Sequence, residues 1–259
     1  MEPSTEISPA AESNRPAMSL GGRLTNIFAT PGEVFEEVRD RPPDHANWWV
    51  PVLLLCLAGT ISVWVIFSQP AILQNIREAK DKAMEQQLSN VPPAQRQMVK
   101  AWADIFSSPI LLKVAGTFGA AVGAFAQLFV MAFVLWAIGQ IFFKADFSYV
   151  KAMEVTGLAA MIPMLGKILA MLLILITGNT AARLSPAMFL SKIDPANPTY
   201  LMLNAVNVIT LWYLGLLALG LAKLSRRPVL VPALCLYGLW AVLHMATITM
   251  SLMMQHLRT

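Results

Sequence analysis

The sequence predicts an all-α polytopic membrane protein, a five-helix transmembrane bundle with amphipathic helices at the membrane interface. Three observations carry this. Five apolar blocks, at 48–68, 114–143, 155–176, 202–222 and 229–252, each reach the roughly 20 residues that cross about 30 Å of hydrocarbon. None of the five contains Asp or Glu, and Lys167 is their single Lys or Arg. The chain is 56% hydrophobic and 13% charged, with a mean hydropathy of +0.59, about half the charge usual for a soluble domain. A soluble fold would have to bury five long helices with little polar surface to cover them.

Ahead of the first block, residues 1–19 are rich in Glu, Ser, Pro and Ala, a composition that predicts a disordered tail. Residues 20–47 form an interfacial helical segment. Thr30-Pro31-Gly32-Glu33 has the form of a capping box, with Pro31 at the first helical position. Val34, Phe35 and Val38 then share one face, and Leu24, Ile27 and Phe28 make another upstream. These faces either lie on the lipid surface or pack against the end of the bundle. No apolar stretch precedes residue 48, so no cleavable signal is expected and the first span acts as the insertion signal.

The connection 69–113 is far longer than a usual helix–helix link. Ile72, Leu73, Ile76, Ala79, Ala83, Met84 and Leu88 recur at helical spacing. After a break at 90–93, Met98, Trp102, Ile105 and Phe106 do so again. The pattern predicts a helical hairpin that covers the bundle or lies on lipid. In the connection 177–201, Ser185-Pro186 opens one more short helix, anchored by Phe189 and Leu190. The connections 144–154 and 223–228 are short.

Lys and Arg divide evenly between the two sides, but Lys144, Lys151, Lys223, Arg226 and Arg227 lie in the short connections. The positive-inside rule weighs short loops most. It places the N-terminus and short loops in the cytoplasm and, after five crossings, Thr259 outside.

Little in the spans can do chemistry. Lys167 follows Pro163 by one helical turn, and a proline there frees a carbonyl and bends the helix. Freed carbonyls, or Gln127, Gln140, Asn204 and Asn207, could receive the ammonium. One reading is an anion or lipid-headgroup site; the other is a lysine that snorkels to the nearer surface. His244 has no acidic or second His partner and reads as a neutral packing residue. Cys56 and Cys235 have no metal-ligand spacing and read as buried thiols, with a disulfide between them left open. Gly119 and Gly123 form a GxxxG step, read first as intramolecular helix packing and second as a dimer contact. No HExxH, GxSxG, phosphate loop, CxxC or intramembrane acid pair is present, so neither an enzyme, nor a cofactor, nor proton coupling is expected. The net charge of +4 is spread out and excludes a nucleic-acid footprint.

Three short motifs occur in order along the chain. They are 28–35 (Phe28, Pro31 and Phe35 among them), 142–149 with Phe143 and Phe147, continuing through Lys151 to Pro163, and 211–213 with Trp212, followed by Gly220. With these motifs and five crossings, residues 20–252 resemble the Yip1 domain family, more closely its prokaryotic members. The resemblance implies a five-helix bundle with a cytoplasmic N-terminus, here in a bacterial cytoplasmic membrane. Eukaryotic members are linked to vesicle traffic and Rab-type GTPases. The short N-terminal region and long first loop depart from them, so a GTPase partner is not carried over. Two expectations follow. One is a non-catalytic scaffold or membrane-organising protein with the bilayer, other membrane proteins or a second copy as partners. The other is a carrier or lipid-handling protein with an anion or headgroup site at Lys167.

Overall fold

The computed structural model describes residues 17–88, 91–178, 182, 184–190 and 197–256; the expected tail lies outside these up to residue 16. Ser19 opens α1 (Leu20–Ala29) by accepting from the Gly22 amide at 3.1 Å. α2 (Pro31–Asp40) follows with only Thr30 between them. The capping box does not form. The Thr30 amide already donates to Asn26 O, closing α1, so no free donor is left for Glu33, and Thr30 makes no side-chain cap. Ile27, Val34 and Phe35 are 0% exposed. Of the two placements open from sequence, the structure therefore adopts packing against the bundle.

Among the described residues, five helices are long and apolar enough to cross a membrane. The first is α3 (Ala46–Ile66). The second is α6 (Pro109–Ile141). The third runs from Tyr149 to Thr177 as α7 (Tyr149–Ala159) and α8 (Met161–Thr177). Its break falls at Ala160, where Pro163 three residues on has no N–H for the Ala159 carbonyl. Between the first two spans stand α4 (Pro70–Leu88) and α5 (Pro93–Phe106).

The fourth block divides into α9 (Pro198–Ala205) and α10 (Val208–Ser225). The spanning part thus starts at Val208 rather than 202, because Asn207 caps α10 through Oδ1 with the amides of Ile209 (2.9 Å) and Thr210 (3.3 Å). α11 (Leu230–His256) completes the bundle. α3 packs on α6, α7 and α8, while α10 packs on α2, α7 and α11.

A buried ionic cluster joins the N-terminal pair to the bundle, and the sequence reading had placed two of its members in a loop. Ser148 caps α7, so Lys151 and Glu154 fall inside the third span rather than before it. Glu154 is 0% exposed. Its Oε1 accepts from the Asp44 amide and from Asn47 Nδ2, both at 2.8 Å. Its Oε2 faces Lys151 Nζ at 3.0 Å, an ion pair without aligned hydrogen-bond geometry. Lys151 Nζ also donates to the backbone carbonyls of Val38 and Arg41. Arg23 donates to Asp44 and Asn47, both at 2.9 Å, and pairs with Glu37 at 3.2 Å. Charges are tolerated here because each is matched on the spot.

This cluster, the turn 142–148 and the turn 226–229 share one end of the molecule, where Lys223 also reaches Glu36. Just outside it, two hydrogen bonds from Arg39 hold the Asp40 carboxyl below its ordinary pKa. The Phe28 ring meets Trp212 edge-on at 6.1 Å. Since Trp212 lies about three turns along α10 from Lys223, α1 reaches below the surface of the bundle. Gln140 spans the turn 142–148 by donating to the carbonyls of Ala145 (2.9 Å) and Phe147 (3.1 Å), which keeps it far from any ammonium in α8.

Close helix contacts do use glycine, but not the expected step. A Cβ on Gly119 or Gly123 would meet nothing within 4 Å, since both face outward on α6. On Gly157 it would run into the Trp48 backbone, on Gly139 into the Phe147 ring and on Gly220 into Val155. Cys56 and Cys235 are both free thiols.

Two predictions follow from these contacts. Glu154→Ala leaves Lys151 without its counter-ion and Asn47 and the Asp44 amide without their acceptor, and lowers stability by about 3–5 kcal/mol. Glu36→Ala, in a half-exposed pair, lowers it by under ~1 kcal/mol. Equal losses in denaturant titration of the micellar protein would refute the cluster's role. Gly157→Ala is strongly destabilising because backbone cannot give way, whereas Gly123→Ala is neutral or gains up to about 1 kcal/mol of helix propensity. A melting temperature lowered more by the Gly123 change than by the Gly157 change contradicts this packing.

Candidate functional site

Pro163 and the α7–α8 break turn α8 so that Lys167 faces α3 and the start of α10. Its stem passes Gly59, whose missing side chain leaves room: a Cβ there would lie 3.9 and 4.0 Å from Lys167 Cδ and Cε. Gly166 meets Ile209 more closely still, since a Cβ there would lie 2.6 Å from Ile209 Cγ2, so α8 and α10 approach without a side chain between them. The result is a crevice of about 500 Å³ between α3, α6, α8 and the first turn of α10. Lys167, Pro163, Gln127 and Asn207 all line it, together with Ser62 and Thr210.

Lys167 therefore lines a space between helices and is half-buried. It forms no ion pair among the described residues. Ten residues separate it from Thr177 at the end of α8, about 15 Å of helix. A lysine at that depth with no counter-charge leaves the crevice positive.

The polar groups around it are partly committed. Asn207 Oδ1 is occupied by the α10 cap, which leaves its amide N–H₂ as a donor. The Val208 amide donates to Leu184 O at 3.2 Å. The Ser62 hydroxyl donates to Ala58 O at 2.7 Å, so toward the crevice it can only accept. The start of α10 adds the positive end of a helix dipole.

Gln127, Pro163, Ile209 and Thr210 also line a second cavity, of about 310 Å³, on their other side. Its remaining walls are apolar, from Val130 and Val134 on α6 to Leu236 and Leu239 on α11. Gln127 and the buried Tyr213 both line this second cavity.

Other expected residues fall elsewhere. Asn204 sits in α9 and accepts from Ser185 Oγ at 3.3 Å, away from the crevice, because the helix break at 206–207 separates it from Asn207. Phe189 does not anchor its short 3₁₀ helix (Pro186–Phe189) to the protein; it is 85% exposed. His244 meets the Trp240 ring at a 38° tilt, centroids 4.7 Å apart, and its Nδ1 lies 3.2 Å from the Trp240 carbonyl.

The sequence reading missed the cluster of Arg23, Glu37, Asp44, Asn47, Lys151 and Glu154. A signal was there: Ser148 at an N-cap puts Lys151 and Glu154 in the first two turns of a helix at i, i+3 spacing. The motif residues prove to be packing residues. Phe35 is fully buried, Phe143 and Phe147 are nearly so, and Pro31 starts α2.

A family model described as the Yip1 domain matches residues 25–251 of the chain. No curated protein and no solved structure matches it. The match runs from within α1 to the last turns of α11, so the bundle, the crevice and all of the ionic cluster except Arg23 lie inside it, and the chain belongs to the Yip1 domain family.

Proposed function

We propose that this protein is a non-catalytic membrane-organising scaffold of a bacterial cytoplasmic membrane. Its N-terminal helices face the cytoplasm and its α4–α5 hairpin the outside. The observation that carries this is α5. Its apolar face bears Met98, Trp102, Ile105 and Phe106, each more than half exposed, although the helix is fixed at the membrane boundary by α6, which starts at Pro109. Trp102 and Phe106 stack at 6.0 Å and would be costly to leave in water. The covering that fits is lipid, with α5 lying in the plane of the interface.

The hairpin is braced on its polar side. Lys80 Nζ donates to Asp104 at 2.7 Å, and that carboxylate raises the Lys80 pKa above its ordinary value. Lys113 bonds Ser68 at 2.9 Å and lies over the Trp64 ring, tying the base of α6 to the end of α3. A wedge held rigidly to five spans organises lipid around it, and other membrane proteins or a second copy can assemble on the exposed spans. α1 and α2 spend their apolar faces on the bundle, which supports no GTPase partner for them.

Two outcomes test the reading. In proteoliposomes the native chain narrows vesicles into tubes, and Trp102→Glu with Phe106→Glu at least halves the tubulated fraction while the protein still inserts. Unchanged tubulation, or none with the native chain, removes the α5 wedge. In intact cells, a cysteine placed at Asp146 resists an impermeant maleimide and one at Glu85 reacts; the reverse pattern inverts the orientation.

A further inference from the structure

We infer that the Lys167 crevice and the cavity behind it form one binding site for an anionic amphiphile, its acidic head on Lys167 and its chain between α6, α10 and α11. The inference is independent of the organising role of α5.

The first argument is charge. Lys167 stands about 15 Å along α8 from Thr177, and among the described residues no carboxylate pairs with it. The free donor beside it is the Asn207 amide, whose oxygen is held by the α10 cap. Two donors and the dipole of α10 suit an acidic oxygen, whereas a cationic head would find the Ser62 oxygen as an acceptor but face the like charge of Lys167.

Shape is the second argument. The polar crevice and the apolar cavity share Gln127, Pro163, Ile209 and Thr210 as a common wall. Their volumes, about 500 and 310 Å³, fall in the range of small-molecule sites, roughly 300–1,000 Å³. A free inorganic anion would leave the second cavity unused, and a neutral hydrocarbon would leave Lys167 unpaired. An amphiphile meets both halves.

The test uses the full chain in phosphatidylcholine nanodiscs and a C16 fatty acid bearing a diazirine in its tail. The fatty acid labels residues of the second cavity, such as Val134, Leu236 and Leu239. Lys167→Met lowers that labelling at least five-fold, and Lys167→Arg restores most of it. Asn207→Asp keeps the α10 cap and sets a carboxylate in the same crevice, so it causes a similar loss without threatening the fold. The matching C16 alcohol labels all variants equally.

Labelling by the acid that is the same in the native chain, Lys167→Met and Asn207→Asp overturns the proposal. So does labelling spread over the outer faces of the spans. Inorganic phosphate at millimolar concentration does not compete; displacement by it would assign the crevice to a free anion and overturn the amphiphile.

Discussion

Glu154 and Lys151 meet where α2, α3 and α7 converge, and the rest of the molecule is arranged around keeping that pair satisfied. The carboxylate takes the amide and side chain that open α3; the ammonium takes the carbonyls that close α2. Neither charge could remain at this depth alone, because an uncompensated ion away from water costs several kcal/mol. The pair therefore fixes where α3 begins against α7. From there α7 and α8 run on past α3 to the point where Gly59 faces Lys167. A structural ion pair at one end sets the geometry around Lys167 further along, a cation with no ion-pair partner among the described residues.

The two ends of the protein thus differ in kind. At the N-terminal end, α1 and α2 give their apolar faces to the bundle and pair their charges with each other, with the start of α3 and with Lys223, leaving a braced surface. At the other end, α5 keeps its apolar face outward and α9 breaks from α10, opening the crevice. Rigidity at one end and open apolar and cationic surface at the other are the features on which the proposed action on lipid rests.

Much of this was legible in the sequence, and for physical reasons. Length and hydropathy find spans because a bilayer demands a continuous apolar helix. The amphipathic spacing of α5 and the singularity of Lys167 were equally plain. What sequence could not show was charge compensation at a distance. Lys151 and Glu154 read as loop residues because their partners, Asp44, Asn47 and the end of α2, lie over a hundred residues away. Asn204 and Asn207 looked equivalent until one became a cap. Gly119 and Gly123 formed a motif whose meaning depends on what faces it, and nothing among the described residues does.

The account rests on α2 being part of the folded bundle rather than a helix resting on the membrane. Hydrogen–deuterium exchange of the full chain in nanodiscs measures this directly, because protection reports the free energy of opening each segment. Amides of α2 should be protected as strongly as those of α7 and should open together with them. Fast exchange of α2 beside a protected α7 would mean that the Lys151 contacts do not hold, and would contradict the account.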